Sequence, residues 1–450
     1  MLDVIVNLVL ASWIFLYFFD KNKIRINGVQ MLVETLKIRR IFATTAAPTI
    51  EVELRTKKGV VRSAVPIGTS RGRHETTFLP VEDAIRKFAL ISRQVRSENF
   101  YNQEEVDAML HSIDKSSSFK EIGGNVALGI SSAFLKALAL EANLEVFEYV
   151  FTQMKPDRPD KTPTPAQTPI PIPMPICNVC GGWRSESGVK QSDIQEFLLL
   201  PVYQKSFLDS ATNLSEAYKD IGKEFEKADK SFQYGKNVES AWITGLGIED
   251  VMEILSRVGN SRLLKLGLDV AASNLWDGKN YVYRKKPGEY DDERFLRTEQ
   301  LNFLADLARR YPITYIEDPF EEEDFVSHAA LTHLLSNRGV LVCGDDLYTT
   351  NLARLQIGIG NKATNAALVK PNQIGTITDT IKFVEEAKRN GLKAVMSHRS
   401  GETEDILICH LAVGLGCEYV KLGISGERTT KINEMIRIEE KLQESNKFIL

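Results

Sequence analysis

Six short apolar runs in the second half of this chain each end in a charged or hydroxyl-bearing residue, and that recurrence narrows the folds open to it. Leu266-Gly267-Leu268 ends in Asp269, Ile313-Thr314-Tyr315-Ile316 in Glu317-Asp318, and Val340-Leu341-Val342-Cys343-Gly344 in Asp345-Asp346. Ala367-Leu368-Val369 ends in Lys370, Ala394-Val395-Met396 in Ser397-His398-Arg399, and Tyr419-Val420 in Lys421. Short, unbroken apolar runs read as strands buried on both faces. Between them lie amphipathic stretches of helical period at 299–310, 351–359, 376–389 and 403–415, with Gly391 and Gly416 as stops. Alternating strands and helices predict parallel strands joined by crossover helices. Polar groups at the C-terminal end of every strand predict an α/β barrel with its site on that face. A doubly wound open sheet is the alternative, and it would gather its ligands at one switch point instead of around a ring.

The residue types define a chemistry. Mg²⁺ and similar hard cations prefer oxygen ligands, and Asp269, Glu317 and Asp345 supply three acids. A cation held there would neutralise the charge that builds up when a proton leaves the carbon next to a carboxylate. Lys370 is the candidate base. A lysine becomes a base when its pKa falls from about 10.4 toward neutrality, through desolvation or nearby positive charge such as Arg399 and Lys421. Taken singly, a strand-end aspartate is commonly a helix cap and a lysine a solvated charge. The ordered set at one end of successive strands is what points to a site.

Longer motifs carry a resemblance. Gly344-Asp345-Asp346-Leu347, Val369-Lys370-Pro371-Asn372-Gln373-Ile374-Gly375, Ser397-His398-Arg399-Ser400-Gly401-Glu402-Thr403-Glu404-Asp405 and Val420-Lys421-Leu422-Gly423 are similar to segments of the enolase family, as are Leu268 to Ser273 and Ile316 to Phe320. The resemblance runs from about Ile41 to Glu440 and is closest from Asp269 onward; within the family it points to the divergent enolase 4 type. It implies an enolase barrel behind a smaller α+β N-terminal domain, and dehydration of 2-phosphoglycerate to phosphoenolpyruvate in glycolysis. By the same resemblance Asp269, Glu317 and Asp345 look like Mg²⁺ ligands and Lys370 like the base at C2. His398, Arg399, Ser400 and Lys421 look like contacts to substrate phosphate and carboxylate, and Glu196, in Gln195-Glu196-Phe197, like a site carboxylate. Gly68-Thr69-Ser70-Arg71-Gly72-Arg73-His74-Glu75 is similar to the family's mobile loop, whose serine, here Ser70, joins a second metal. Ahead of it, the strict alternation of Ile50 to Leu54, the turn Lys57-Lys58-Gly59 and Val60 to Pro66 read as a hairpin. A homodimer is implied by the resemblance alone.

Departures from the family pattern concentrate on the other side of the site. The family's early arginine is missing from Thr44-Thr45-Ala46-Ala47-Pro48-Thr49, and Ile67 replaces its first loop serine. Cys180-Gly181-Gly182-Trp183-Arg184-Ser185-Glu186 lacks the family's histidine. Gly235-Lys236-Asn237-Val238-Glu239-Ser240-Ala241-Trp242 stands where the family carries Gly-Asn-Val-Gly-Asp-Glu-Gly-Gly, so an ungapped match puts Ala241 at the glutamate that assists departure of the C3 hydroxyl. A positioned general acid contributes about 10² to 10⁴ in rate, so turnover is expected to be slow. Glu239 and Glu186 are the nearby carboxylates, and Trp183 and Trp242 are bulky where the family is small. On this reading Ala241→Glu with Trp242→Gly restores product formation.

A chain of 450 residues with 43% hydrophobic content can bury two cores. The expected organisation is an apolar N-terminal segment at 1–20, an N-terminal domain at 21–154, a proline-rich linker at 155–176 and a barrel domain at 177–450. A net charge of −4 leaves no basic footprint for nucleic acid. Five cysteines suit a reducing, cytoplasmic compartment, and Cys177-x-x-Cys180 has no second pair at zinc spacing, so plain burial is expected. Val4 to Phe19 is nearly all apolar but shorter than the roughly twenty residues of a span, so membrane contact there is open but not favoured. Three functional readings follow: a working but slow enolase, an enolase-fold pseudoenzyme with a structural or binding role, and another superfamily lyase or racemase. The third is weakest because 397–405 resembles enolase itself.

Overall fold

Three strands open the folded part of the chain: β1 (Thr35–Phe42), β2 (Pro48–Thr56) and β3 (Gly59–Ala64), antiparallel in sequence order. The expected hairpin is β2–β3, with Thr56 opposite Gly59 across Lys57-Lys58. The computed structural model describes residues 31–69, 71–97, 100–153, 170–182, 192–283, 292–445 and 448–449. Ser70, Trp183, Arg184, Glu186, the apolar stretch at 4–19 and the proline-rich residues 154–169 lie outside them.

Helices α1 (Val81–Ser97), α2 (Gln103–Ile113), α3 (Gly124–Ala142) and α4 (Val146–Gln153) follow. α3 packs on β2 and β3, and a Cβ on Gly129 would stand 2.8 Å from the Val52 methyl, so glycine permits the close approach. Among the described residues α3 is the one helix long and apolar enough to cross a membrane. With 78% of that window buried inside the protein, its composition is that of a core helix.

The second part is a closed barrel of β4 (Met174–Cys180), β5 (Glu196–Pro201), β6 (Leu264–Asp269), β7 (Ile313–Glu317), β8 (Leu341–Gly344), β9 (Ala366–Val369), β10 (Lys393–Ser397) and β11 (Tyr419–Gly423). β4 begins within the stretch expected to be linker, and β11 closes onto it. The strands were expected to be parallel throughout; β5 instead runs antiparallel to both β4 and β6. A parallel return needs a long crossover, usually a helix, whereas a reversed strand can be entered at the same end of the barrel. The reversal has a chemical consequence. It puts Glu196, the first residue of β5, directly opposite Asp269, the last of β6.

Backbone strain gathers at the same end. Asp318, Thr349, Thr350 and Ala271 all have positive φ, between 40° and 52°, although none is glycine. Such conformations persist only where surrounding structure over-determines them, and they cluster at functional sites.

The segment after Lys370 is gripped by the N-terminal unit. Pro371–Ile374 forms a single helical turn, and Gly375 (φ +93°) leads into Thr376, which caps α10 (Ile377–Arg389). Between β5 and α10 lie α5 (Phe207–Ala228), α6 (Ile248–Ser261), α7 (Arg297–Arg310), α8 (Phe325–Leu335) and α9 (Leu352–Asn361); α11 (Leu407–Gly414) and α12 (Thr429–Glu444) follow α10. The first amides of α10 donate to Ser131 Oγ (Ile377, 2.9 Å) and Asp107 Oδ2 (Thr378, 2.9 Å), both from helices of the N-terminal unit. A Cβ on Gly375 would lie 2.9 Å from the Phe119 ring as well as demanding a left-handed backbone. Gly375→Ala is therefore expected to lower stability by about 1–3 kcal/mol, read as a fall in the thermal unfolding midpoint.

Candidate active site

The carboxylates converge on two lysines at the barrel mouth. Lys421 Nζ lies 2.8 Å from Glu196 Oε2, 2.8 Å from Asp269 Oδ2 and 2.9 Å from Glu317 Oε1, and all four side chains are buried. Lys370 pairs with Asp345 Oδ2, while Gln373 Nε2 donates to Asp345 Oδ1 at 2.9 Å. Thr350 Oγ1 accepts from the Lys370 amide at 2.9 Å and donates to Gln373 at 2.7 Å, so the strained Thr350 ties the base to its acid neighbour.

Negative charge exceeds positive charge here. Burial, then the neighbouring Asp269 carboxylate, push Glu317 up to about 8 despite Lys421. Burial is the largest influence on Lys370 and lowers its pKa, but the Asp345 and Glu317 carboxylates together make the net shift upward, opposite to the fall expected of a base. Asp269 and Glu317 turn onto Lys421 and Asp345 onto Lys370, so the three do not form one of the groups whose ligand atoms lie within 4.8 Å of one another. Asp318, Asp345 and Asp346 do form such a group, but both Asp318 oxygens accept backbone amides, from Asp345 (2.9 Å) and Asp346 (2.7 Å). Asp318 is thus a clamp on the β8 end. Buried oxygen donors that repel one another and are only partly compensated are a set that fits a hard divalent cation.

Opposite them stand His398, Arg399 and Ser400. Burial and then Arg428 hold His398 well below the usual imidazole range, so it is neutral. The Arg399 guanidinium bonds Glu75 (3.1 Å) and Asn372 Oδ1 (3.0 Å). Ser400 Oγ accepts from Thr69 N at 2.9 Å, and Ile67 pairs with Gly401, so the loop at 66–69 lies over this end of the pocket. Thr44 N donates to Glu402 O at 2.8 Å, which closes the segment that lacks the family's arginine.

The acid side corrects the sequence reading. Ala241 is buried and does not line the pocket; Glu239 does, together with Glu196, Asp269, Lys370, His398 and Lys421. Glu239 Oε2 accepts from Asn178 Nδ2 at 3.1 Å and lies 3.9 Å from His398 Nε2. Glu196 and Glu239 lie side by side, their carboxylate oxygens within 4.8 Å: burial and then the Glu239 charge drive Glu196 well above the carboxylate range. Burial also opposes the Glu239 charge, but the neighbouring Glu196 carboxyl and the Arg428 and Lys421 cations hold Glu239 below that range. The two shifts run in opposite directions, so Glu196 is the member of the pair that takes up a proton first. The ungapped match points to Ala241, whereas the carboxylate in the pocket is that of Glu239 two residues earlier, because the loop runs Asn237–Ala241 through a turn, with the Glu239 and Ala241 amides both donating to Asn237 Oδ1. Trp242 does not fill the pocket either. Its indole stacks on Tyr218 at 4.5 Å and donates to Tyr218 O at 2.9 Å.

Among the described residues, Lys370, Glu196, His398, Arg399, Ser400, Lys421 and Asp269 line one pocket, with Glu317 and Asp345 bonded to its lysines. Sequence reading missed Asn178, Gln373 and Arg428. Arg428 is wholly buried and donates to Arg399 O (3.0 Å), Ser400 O (2.6 Å) and Val238 O (3.2 Å), joining the two loops that carry His398 and Glu239. Its signal was its place seven residues after Lys421, in a segment no motif covered. Cys177 and Cys180 are buried free thiols whose pKa burial raises, so neither is poised for redox or metal chemistry.

Comparison with known proteins agrees with this geometry. Residues 33–150 match the family model for "Enolase, N-terminal domain" and residues 169–449 that for "Enolase, C-terminal TIM barrel domain". Curated relatives named Enolase include those of Methanosphaera stadtmanae (37% identical, 91% of this chain and 97% of that protein) and Archaeoglobus fulgidus (36%, 91% and 98%). That of Pyrobaculum aerophilum is 36% identical over 92% of this chain and 97% of its own. These matches reach the family; the enolase 4 type rests on the pattern of departures alone. With both domain models matched in order and relatives aligned over nearly their whole length, the chain belongs to the enolase family.

Proposed function

We propose that this protein is a Mg²⁺-dependent phosphopyruvate hydratase that dehydrates 2-phosphoglycerate to phosphoenolpyruvate in glycolysis. The observation that carries the reading is one pocket lined by both a candidate base, Lys370, and an adjacent carboxyl pair, Glu196 and Glu239. Asp269, Glu317 and Asp345 would hold the cation, with Ser70 a further ligand from outside the described residues. Bound there, Mg²⁺ supplies positive charge against the enolate that forms next to the substrate carboxylate.

The chain's own groups do the rest. With Asp345 and Glu317 committed to the cation, burial, Arg399 and Lys421 all lower the Lys370 pKa, so its neutral amine can take the C2 proton. Lys421 donates to the substrate carboxylate, while His398, Arg399 and Ser400 receive the phosphate. The Glu196–Glu239 pair delivers its proton to the C3 hydroxyl as the C3–O bond breaks and the C2–C3 double bond forms, releasing water. No acid is then missing, and turnover need not be slow.

The reading is tested by following phosphoenolpyruvate absorbance with Mg²⁺, with Mg²⁺ plus excess EDTA, and after Mg²⁺ is restored; product only in the first and last is expected. Asp269→Asn should weaken Mg²⁺ binding at least as much as loss of an outer partner does, about 10- to 100-fold, by titration calorimetry. A second reading, a pseudoenzyme, has one observation in its favour: Glu75 and Asn372 already occupy Arg399. A folded, Mg²⁺-binding protein with no product at saturating substrate would select it. Family membership extends the proposal to a homodimer acting on a small-molecule substrate, and five free cysteines support a cytoplasmic location.

A further inference from the structure

We infer that Tyr315 is a positioning residue that fixes which oxygen of Glu317 faces the cation and so sets metal affinity and choice. The inference rests on Glu317 being a metal ligand, as proposed above. Tyr315 and Glu317 stand two residues apart on β7, so their side chains share the inner face of the barrel. The Tyr315 ring is fully buried in the barrel interior among Ile176, Leu198, Leu200, Cys343 and Val395. Its hydroxyl donates to Glu317 Oε2 at 2.6 Å, from below the pocket, while Glu317 Oε1 lies 2.9 Å from Lys421 Nζ at the pocket floor.

Two oxygens of one carboxylate are thereby given different tasks. Oε2 is held by a donor whose ring is wedged in an apolar core, and the carboxylate cannot rotate without abandoning that bond in a place no water reaches. Oε1 alone faces Lys421, which lines the pocket. A carboxylate restricted to one oxygen suits Mg²⁺, which demands near-ideal octahedral geometry, better than Ca²⁺, which readily takes both oxygens of an acid. Outer hydrogen-bond partners of metal ligands orient them and tune affinity by about 10- to 100-fold.

Tyr315→Phe keeps the ring and removes only the hydroxyl. Titration calorimetry of the full chain with Mg²⁺ and with Ca²⁺ should show Mg²⁺ affinity falling about tenfold or more, with a smaller fall for Ca²⁺, so the Mg²⁺/Ca²⁺ preference narrows. In a Glu317→Gln background the same substitution should cause no further loss, because its effect passes through that carboxylate. Unchanged Mg²⁺ affinity in Tyr315→Phe, or equal losses for both cations with equal further loss in Glu317→Gln, would make Tyr315 a core filler and overturn the inference. Wild-type Mg²⁺ affinity in Glu317→Gln alone would instead remove Glu317 from the ligand set, which is the separate failure of the functional proposal. Circular dichroism of each variant confirms that folded protein is being titrated.

Discussion

Lys370→Met is expected to abolish both exchange of the C2 proton with solvent and formation of phosphoenolpyruvate, each by about 10² to 10⁴ or more, while Mg²⁺ still binds. Methionine keeps the length and apolar stem of lysine but offers no basic atom. The two losses must occur together, since elimination from C3 requires that C2 first give up its proton. Lys421 is not expected to take over, because the proposal gives its ammonium to the substrate carboxylate; without the cation it is held by Glu196, Asp269 and Glu317. Deuterium incorporation at C2, measured by NMR on recovered substrate, reads the first loss and product absorbance the second. Exchange persisting in Lys370→Met would place the base elsewhere.

Glu239→Gln is expected to separate what Lys370→Met joins. Glutamine preserves the shape of the side chain and its reach toward Asn178 and His398, but it cannot share a proton with Glu196. Product formation should fall by about 10² to 10⁴, the usual worth of a positioned acid, while C2 exchange stays within about tenfold of the native rate. Glu239 meets Asn178 and His398 whereas Lys370 pairs with Asp345, so abstraction does not depend on Glu239 directly. Loss of both signals would assign Glu239 to substrate binding, and a native product rate would remove it from the chemistry.

The proposed metal and base half of this site was legible in sequence because each of its members ends a strand of β/α repeat. Strand periodicity alone places Asp269, Glu317, Asp345 and Lys370 at one end, and the barrel then brings them together. The acid half was not legible, and the reason is local. Glu239 sits in an irregular loop where a side chain's direction depends on turn geometry, here the amides folded around Asn237 Oδ1, and not on residue count. Counting along the motif therefore selected Ala241. The reversed strand β5 escaped for a related reason: periodicity marks a strand but not its direction, so Glu196 was found by motif and its place opposite Asp269 only by structure. Arg428 acts through buried polar bonds between distant segments, which leave no period to read, and the bond of Tyr315 to Glu317 lies within a run that periodicity marks only as buried.

The central claim is that the rewritten loop still completes the site, with Glu239 supplying from a displaced position the carboxyl that Ala241 lacks. The most direct measurement is incubation of the wild-type protein with 2-phosphoglycerate and Mg²⁺ in D₂O, following C2 deuteration and phosphoenolpyruvate in the same sample. A complete site gives product at a rate comparable to or faster than accumulation of deuterated substrate. Deuterated substrate accumulating without product would show a working base with no acid, and would contradict the account.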